Sequence, residues 1–147
     1  MFVPLTDTVA VAGQLAPADL AVAAAAGYTT VVNNRPDGEE PGQPAGADMR
    51  AAAEAAGLGY AAIPIGHAGL GMAEVAAMVA VLDRAGGPVL AFCRSGTRSA
   101  NLWALAEAHR GGETETIITA CARGRYDVSG LRPVLMRLAA GHGGASA

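Results

Sequence analysis

One stretch constrains the chain more than any other: Pro88-Val-Leu-Ala-Phe-Cys-Arg-Ser-Gly-Thr-Arg-Ser-Ala-Asn101. Val89 to Phe92 is an apolar run of strand length, too short for a buried helix. Cys93 stands at its C-terminal end. A loop carrying Gly96 and the hydroxyls of Ser95 and Thr97 follows, and an Ala/Leu-rich helical pattern begins near Ser99. A strand, a glycine-containing loop and a helix N-terminus in direct succession turn backbone N–H groups toward one point. The positive end of the helix dipole faces the same way, so the segment forms an anion cradle.

A cysteine at the mouth of such a cradle should be held toward the thiolate by the N–H groups and by Arg94 or Arg98. Thiolate is the nucleophilic form, so the geometry that binds an oxyanion also arms Cys93. The plainer reading makes Cys93 a small core residue at a strand end. Two arginines with Ser95, Thr97 and Ser99 in one short loop favour the reactive reading. Cys93 and Arg98 are therefore the candidate catalytic pair. Arg94, Ser95, Gly96, Thr97 and Ser99 are candidate substrate-binding or anion-binding residues, although Ser99 could instead cap the helix.

At 147 residues the chain is long enough for one domain with a sound core. Hydrophobic residues make up 52%, but much of this is alanine, so helices should pack closely. The net charge of −3 argues against a nucleic-acid surface and gives no reason to expect membrane adhesion. Met1 to Leu5 has no basic segment followed by an apolar core. Cys93 and Cys121 read as free thiols of a reducing compartment, which makes a cytoplasmic location the expectation. His67, His109 and His142 are scattered and the cysteines lack ligand spacing, so neither a metal nor another cofactor is expected.

In chain order, Phe2 to Leu5 and Thr8 to Ala12 read as edge strands joined at Thr6-Asp7. A helix with Pro17 in its first turn follows and ends before Gly27. Thr29 to Asn33 reads as a central strand, leading into a turn-rich loop, Asn33 to Pro44. Then come a helix from Gly46 to Ala56, a strand from Leu58 to Ile65, a flexible connection from Gly66 to Gly71, and a helix from Met72 to Ala85. After the Cys93 strand and its helix (Ser99 to His109), helices at Glu115–Ala122 and Ser129–Ala140 close the domain (residues 1–140). Residues 141–147 read as a disordered tail. The alternation predicts a single α/β domain with a mainly parallel central sheet flanked by helices. Ligands bind beyond the carboxyl ends of such strands, so the loops at Asn33–Pro44, Gly66–Gly71 and Cys93–Arg98 should converge.

The run Cys-Arg-Ser-Gly-Thr-Arg-Ser resembles the active-site loop of single-domain rhodaneses. Four residues separate Cys93 from Arg98, where protein tyrosine phosphatases have five. A broader resemblance is carried by Val11-Ala-Gly-Gln-Leu15, Val32-Asn-Asn-Arg-Pro-Asp-Gly-Glu-Glu-Pro-Gly-Gln-Pro44, Ile63-Pro-Ile65 and Phe92 to Trp103. Together they resemble the phosphatase-like domain of beta-lactamase hydrolase-like proteins. The resemblance implies a fold like that of tyrosine and dual-specificity phosphatases. Members occur alone or fused to persulfide-dioxygenase-type metallohydrolases, and some are described as sulfurtransferases. It therefore implies a persulfide-dioxygenase-type partner enzyme and a small anionic sulfur or phosphate substrate.

Two reactions share Cys93 and differ in what they need next. A phosphatase must protonate its leaving group, usually from an Asp on a mobile loop. The corresponding stretch here, Ile63-Pro-Ile-Gly-His67, has no carboxylate. Sulfur transfer from thiosulfate releases sulfite without a proton, so the main expectation is a sulfurtransferase acting through a Cys93 persulfide. The alternative is a phosphatase acting through a phosphocysteine, and a non-catalytic thiol or anion sensor is a third. Asp37, His67 and Asp127 are the acids available to the alternative, yet Asp37 also suits a turn and Asp127 a helix cap. Arg35 belongs to the site or braces its loop against Glu39 or Glu40. Cys121, Trp103 and Tyr126 read as packing residues.

Overall fold

A computed structural model describes residues 1–145. Five strands form one sheet in the order β1-β2-β5-β3-β4, where β1 is Phe2–Pro4, β2 Val9–Ala12, β3 Thr30–Asn33, β4 Gly59–Ala62 and β5 Val89–Phe92. Only β1 runs antiparallel to its neighbour, and the other pairings are parallel. The cysteine strand β5 is central, with Ala12 and Asn33 in register with Phe92 on its two sides. All four of its residues are buried, as a strand covered on both faces requires.

Alternate residues of each strand feed two cores. Val9, Val11, Val32, Val89 and Ala91 face one layer, built with Met78 and Trp103. Ala10, Ala12, Val31, Leu90 and Phe92 face the other, against Leu20 and Met49. The second layer comes from helices α1 (Asp19–Ala25) and α2 (Gly46–Ala55). The first comes from α3 (Met72–Arg84), α4 (Thr97–His109), α5 (Thr114–Arg123) and α6 (Arg132–Ala145). The helix that starts at the cysteine loop, α4, is the hub against which α3, α5 and α6 pack. Its alanines at 100, 104, 106 and 108 are all buried and permit that crowding.

Several boundaries differ from the sequence reading, each for a local reason. β2 is an interior strand rather than an edge, because it pairs with β1 along one side and with β5 along the other. α1 begins at Asp19, whose carboxylate accepts the Ala16 N–H at 2.7 Å and holds Pro17 in the preceding turn. β4 stops at Ala62 because the ladder then leaves register: the Ile63 N–H reaches the Asn33 carbonyl but the next donor, Ile65, reaches Asn34. α4 starts two residues before Ser99, at Thr97. A 3-10 turn, Ser129–Leu131, precedes α6. α6 runs to Ala145, through most of the stretch expected to be a disordered tail, and residues 146 and 147 lie outside the described residues. No helix among the described residues is long and apolar enough to cross a membrane.

Candidate functional site

The cysteine loop sits at the carboxyl end of β5, framed by the ends of β2, β3 and β4. Cys93 is buried, and its Sγ accepts the Gly96 N–H at 3.1 Å. Gly96 makes that contact from the left-handed region, φ +92°, immediately before α4. A side chain there is excluded twice over: by the backbone and by Tyr126, whose Oη would lie 2.2 Å from a Cβ.

Arg98 returns to the cysteine from the first turn of α4. Its Nη1 donates to Glu39 Oε2 at 2.6 Å and to the Ile65 carbonyl at 2.8 Å, and its Nη2 donates to Glu39 Oε1 at 2.9 Å. A guanidinium has five N–H donors, so Nε–H and one Nη2–H remain. The hydrogen bonds to Glu39 hold the Arg98 pKa above its ordinary value against the opposing effect of burial. The charges of Glu39 and of the neighbouring Cys93 add to the rise. Glu39 responds in kind: the Arg98 hydrogen bond is the largest cause pulling its carboxyl down to about 2.

The Asn33–Pro44 loop supplies the rest of the frame. Arg35, buried with about 5% of its surface exposed, donates to Glu39 at 2.8 Å, Glu40 at 2.6 Å and Gln14 Oε1 at 3.0 Å. Burial alone would lower its pKa, but the two carboxylates outweigh it and raise it. Arg35 thus braces its loop against both glutamates. Arg94 projects outward, two-thirds exposed, with Nε 3.0 Å from Glu40. Three guanidinium groups and two carboxylates therefore form one network with a net positive charge, in which Arg98 and Glu39 meet through two bonds.

The remaining sequence candidates divide. Ser95 Oγ and Thr97 Oγ1 are exposed and bonded to each other at 3.1 Å. Ser99 is buried and donates to Asn34 Oδ1 at 2.7 Å, tying α4 to the end of β3 rather than reaching the cradle. Asp37 lies at the cleft but accepts the Gly46 N–H at 2.8 Å, satisfying the start of α2. Asp127 accepts the Ser129 N–H, and its two hydrogen bonds with Ser129 lower its pKa, which is the wrong direction for an acid. His67 is exposed on the Gly66–Gly71 loop and lines a cleft of about 520 Å³ with Arg35, Asp37, Glu39, Arg94 and Arg98. Cys121 is core, and burial pushes its thiol up to about 12. Among the described residues, no three His, Cys, Asp or Glu side chains gather as a metal site.

Three contributors escaped the sequence reading. Gln14, at the end of β2, bonds Arg35 by its side chain and the Arg94 carbonyl by its N–H at 3.1 Å. Asn34 holds Ser99 and the Ile63 carbonyl. Tyr126 donates to the Ser95 carbonyl at 3.0 Å. The sequence signal for Gln14 lay in Val11-Ala-Gly-Gln-Leu15, which marked the family without showing what the glutamine does. Tyr126 had no such signal.

A mostly parallel α/β sheet with a cysteine loop at the end of its central strand, backed by an arginine from the following helix, gives the chain a fold like that of the tyrosine and dual-specificity phosphatases. Residues 2–110 match the family model for the phosphatase-like domain of beta-lactamase hydrolase-like proteins, and the chain belongs to that family. It is 40% identical over 106 residues to the beta-lactamase hydrolase-like protein of Agrobacterium fabrum, a match covering 72% of this chain and 25% of that protein. The chain thus spans about a quarter of the length of the curated relatives it matches. A crystal structure from Neisseria meningitidis, described as a candidate phosphatase, superposes with TM-score 0.78 at 30% identity, covering 92% of this chain and 96% of that one. PTPMT1 shares the fold at TM-score 0.72 and 15% identity, over 99% and 98% of the two chains.

These relatives are phosphatase-like, and they do not support the sulfur-transfer expectation. With Gly96 at positive φ, the four intervening residues turn an N–H onto the sulfur and bring Arg98 back beside it.

Proposed function

We propose that this domain hydrolyses phosphomonoesters through Cys93. The observation that carries the reading is the Gly96 N–H held 3.1 Å from Cys93 Sγ beside a braced Arg98. Membership of the phosphatase-like family supports it. The Cys93 thiolate attacks phosphorus, forming an S–P bond as the ester P–O bond breaks. The two remaining Arg98 donors and the loop amides hold the phosphoryl oxygens as charge develops on them. Water then attacks phosphorus, the S–P bond breaks, and the thiolate returns as phosphate leaves.

His67 is the proposed acid for the leaving oxygen and the base for the water. Every carboxylate lining the cleft is already bonded: Glu39 and Glu40 to arginines, Asp37 to the Gly46 N–H. The substrate is a small anionic ester. A persulfide-dioxygenase-type enzyme, fused or separate, is kept as a proposed partner, to be tested by co-purification.

The test uses intact-mass and phosphate-release measurements with p-nitrophenyl phosphate and with an alkyl phosphate, and a separate thiosulfate arm. Phosphate release abolished in Cys93→Ser is expected. His67→Ala should slow phosphocysteine formation from the alkyl ester by about a hundredfold or more and spare the first-turnover release of p-nitrophenol, whose leaving group needs no proton; the hydrolysis step that follows should slow for both esters. A Cys93 sulfur adduct discharged by cyanide, without phosphate release, would replace this reading by sulfur transfer.

A further inference from the structure

We infer that Tyr126, which lies outside the family-matched residues 2–110, is a positioning residue that fixes the orientation of the Ser95–Gly96 peptide against Cys93. The inference rests on Cys93 as the nucleophile and not on which anion it attacks.

The carbonyl of Ser95 and the N–H of Gly96 belong to one peptide unit, and in a trans peptide they point in opposite directions. The carbonyl accepts the Tyr126 hydroxyl at 3.0 Å, and the N–H donates to Cys93 Sγ at 3.1 Å. Turning that peptide over would break both bonds and present a carbonyl oxygen to the sulfur. Gly96 leaves such a turn sterically open, since a residue without Cβ samples both signs of φ. A glycine is nevertheless required there, because Tyr126 occupies the space a side chain would need. The phenol therefore depends on Gly96 for its seat and restrains the freedom that Gly96 brings.

The chain bears a cost to place this phenol. Arg125, just before it, is the non-glycine residue with positive φ among the described residues, at 69°. L-residues adopt such a conformation only rarely. Glycine sits one position earlier, at Gly124, where a Cβ would approach Leu5 and Val3 to 2.9 Å. The N–H groups of Arg125 and Tyr126 close the end of α5 on the Ala122 and Cys121 carbonyls at 2.9 Å each. This fixed corner aims the ring back at the cradle. Burial raises the Tyr126 pKa, and the charge of Cys93 adds to it, consistent with a phenol that remains a donor beside the sulfur.

The test is Tyr126→Phe, which keeps the ring and removes the donor, with folding checked by circular dichroism. Iodoacetamide alkylation of Cys93 is followed by intact mass as a function of pH. At pH 7 the variant should react about three- to tenfold more slowly, the size of one hydrogen bond. The deficit should close as the pH rises, because excess base ionises the thiol in both proteins. An unchanged rate overturns the inference, and so does a deficit that persists at all pH values. Faster alkylation overturns it too, since Tyr126 would then be a latch over a closed cradle. A second measurement, amide exchange at Gly96 in the unaltered protein, does not depend on the variant folding. Protection is expected, and exchange at the rate of a free loop amide overturns the inference. Alkylation needs no substrate, so failure of the phosphatase reading leaves this result independent.

Discussion

The cradle is held from two sides by different physics. On one side the Asn33–Pro44 loop meets Arg98 through ions: Glu39, Glu40, Arg35 and Arg94 with Gln14. On the other, the corner after α5 meets the Ser95–Gly96 peptide through one neutral hydrogen bond from Tyr126. The ionic side controls a side chain, and a flexible cation needs a planar carboxylate to fix both its position and its plane. The neutral side controls a peptide unit, for which one directed donor is enough. A charge there would compete with the anion that the cradle is shaped to hold.

The comparison breaks most severely at the group both sides serve. Cys93→Ser should abolish Cys93-dependent phosphate release and alkylation. Cys121, buried and raised to about 12, should remain unmodified at neutral pH, so intact mass should show a single adduct on the native protein. A second adduct on the folded protein would contradict that division.

Arg98→Ala should come next, lowering kcat by at least roughly 10²–10³-fold, the effect of removing a single donor to developing charge, since two are lost. Arg98→Lys should restore little, because a point charge cannot meet Glu39 with two bonds and the substrate as well.

Glu39→Gln sharpens the ionic side. Loss of charged hydrogen bonds to Arg98 and Arg35 should lower kcat by about tenfold. The stability effect has a definite sign. The Glu39 carboxyl is depressed from 4.5 to about 2 by folding, so its contribution is fully present above about 4.5 and is lost as pH falls through about 2. Thermal melts of the two proteins should differ at pH 7 and converge on acidification across that window. A gap that stays constant would mean that Glu39 acts by packing rather than by charge.

The smallest effect is expected at the neutral side's backbone. Arg125→Gly relieves the positive φ and should raise stability by no more than about 1 kcal/mol in denaturant titration, with Cys93 alkylation unchanged. Slower alkylation would show that the corner needs the arginine side chain itself.

The cysteine segment was legible because it is local. Four apolar residues, a cysteine, a glycine loop and a helix onset specify a strand end and a cradle within 14 residues, wherever the strand sits. The Asn33–Pro44 loop was legible as a convergent element, and Arg35 as its brace, because its partners Glu39 and Glu40 lie four and five residues away. Local patterning also carried the α/β class and most helix limits, several of which were marked by glycines.

Longer-range relations were not written in any window of sequence. β2 looked like an edge because Val9 to Ala12 does not reveal that β5 lies beside it. Ser99 looked like a cap or an anion donor, since its partner Asn34 is 65 residues away. Tyr126 looked like packing because the Ser95 carbonyl it holds is 31 residues earlier. The sequence alone determined an α/β chain with an anion-cradling cysteine loop, since periodicity, turn chemistry and capping act over a few residues. The tertiary structure decided which groups turn that loop toward its sulfur. Those choices depend on which strand ends and helix corners the sheet brings within 3 Å of one another.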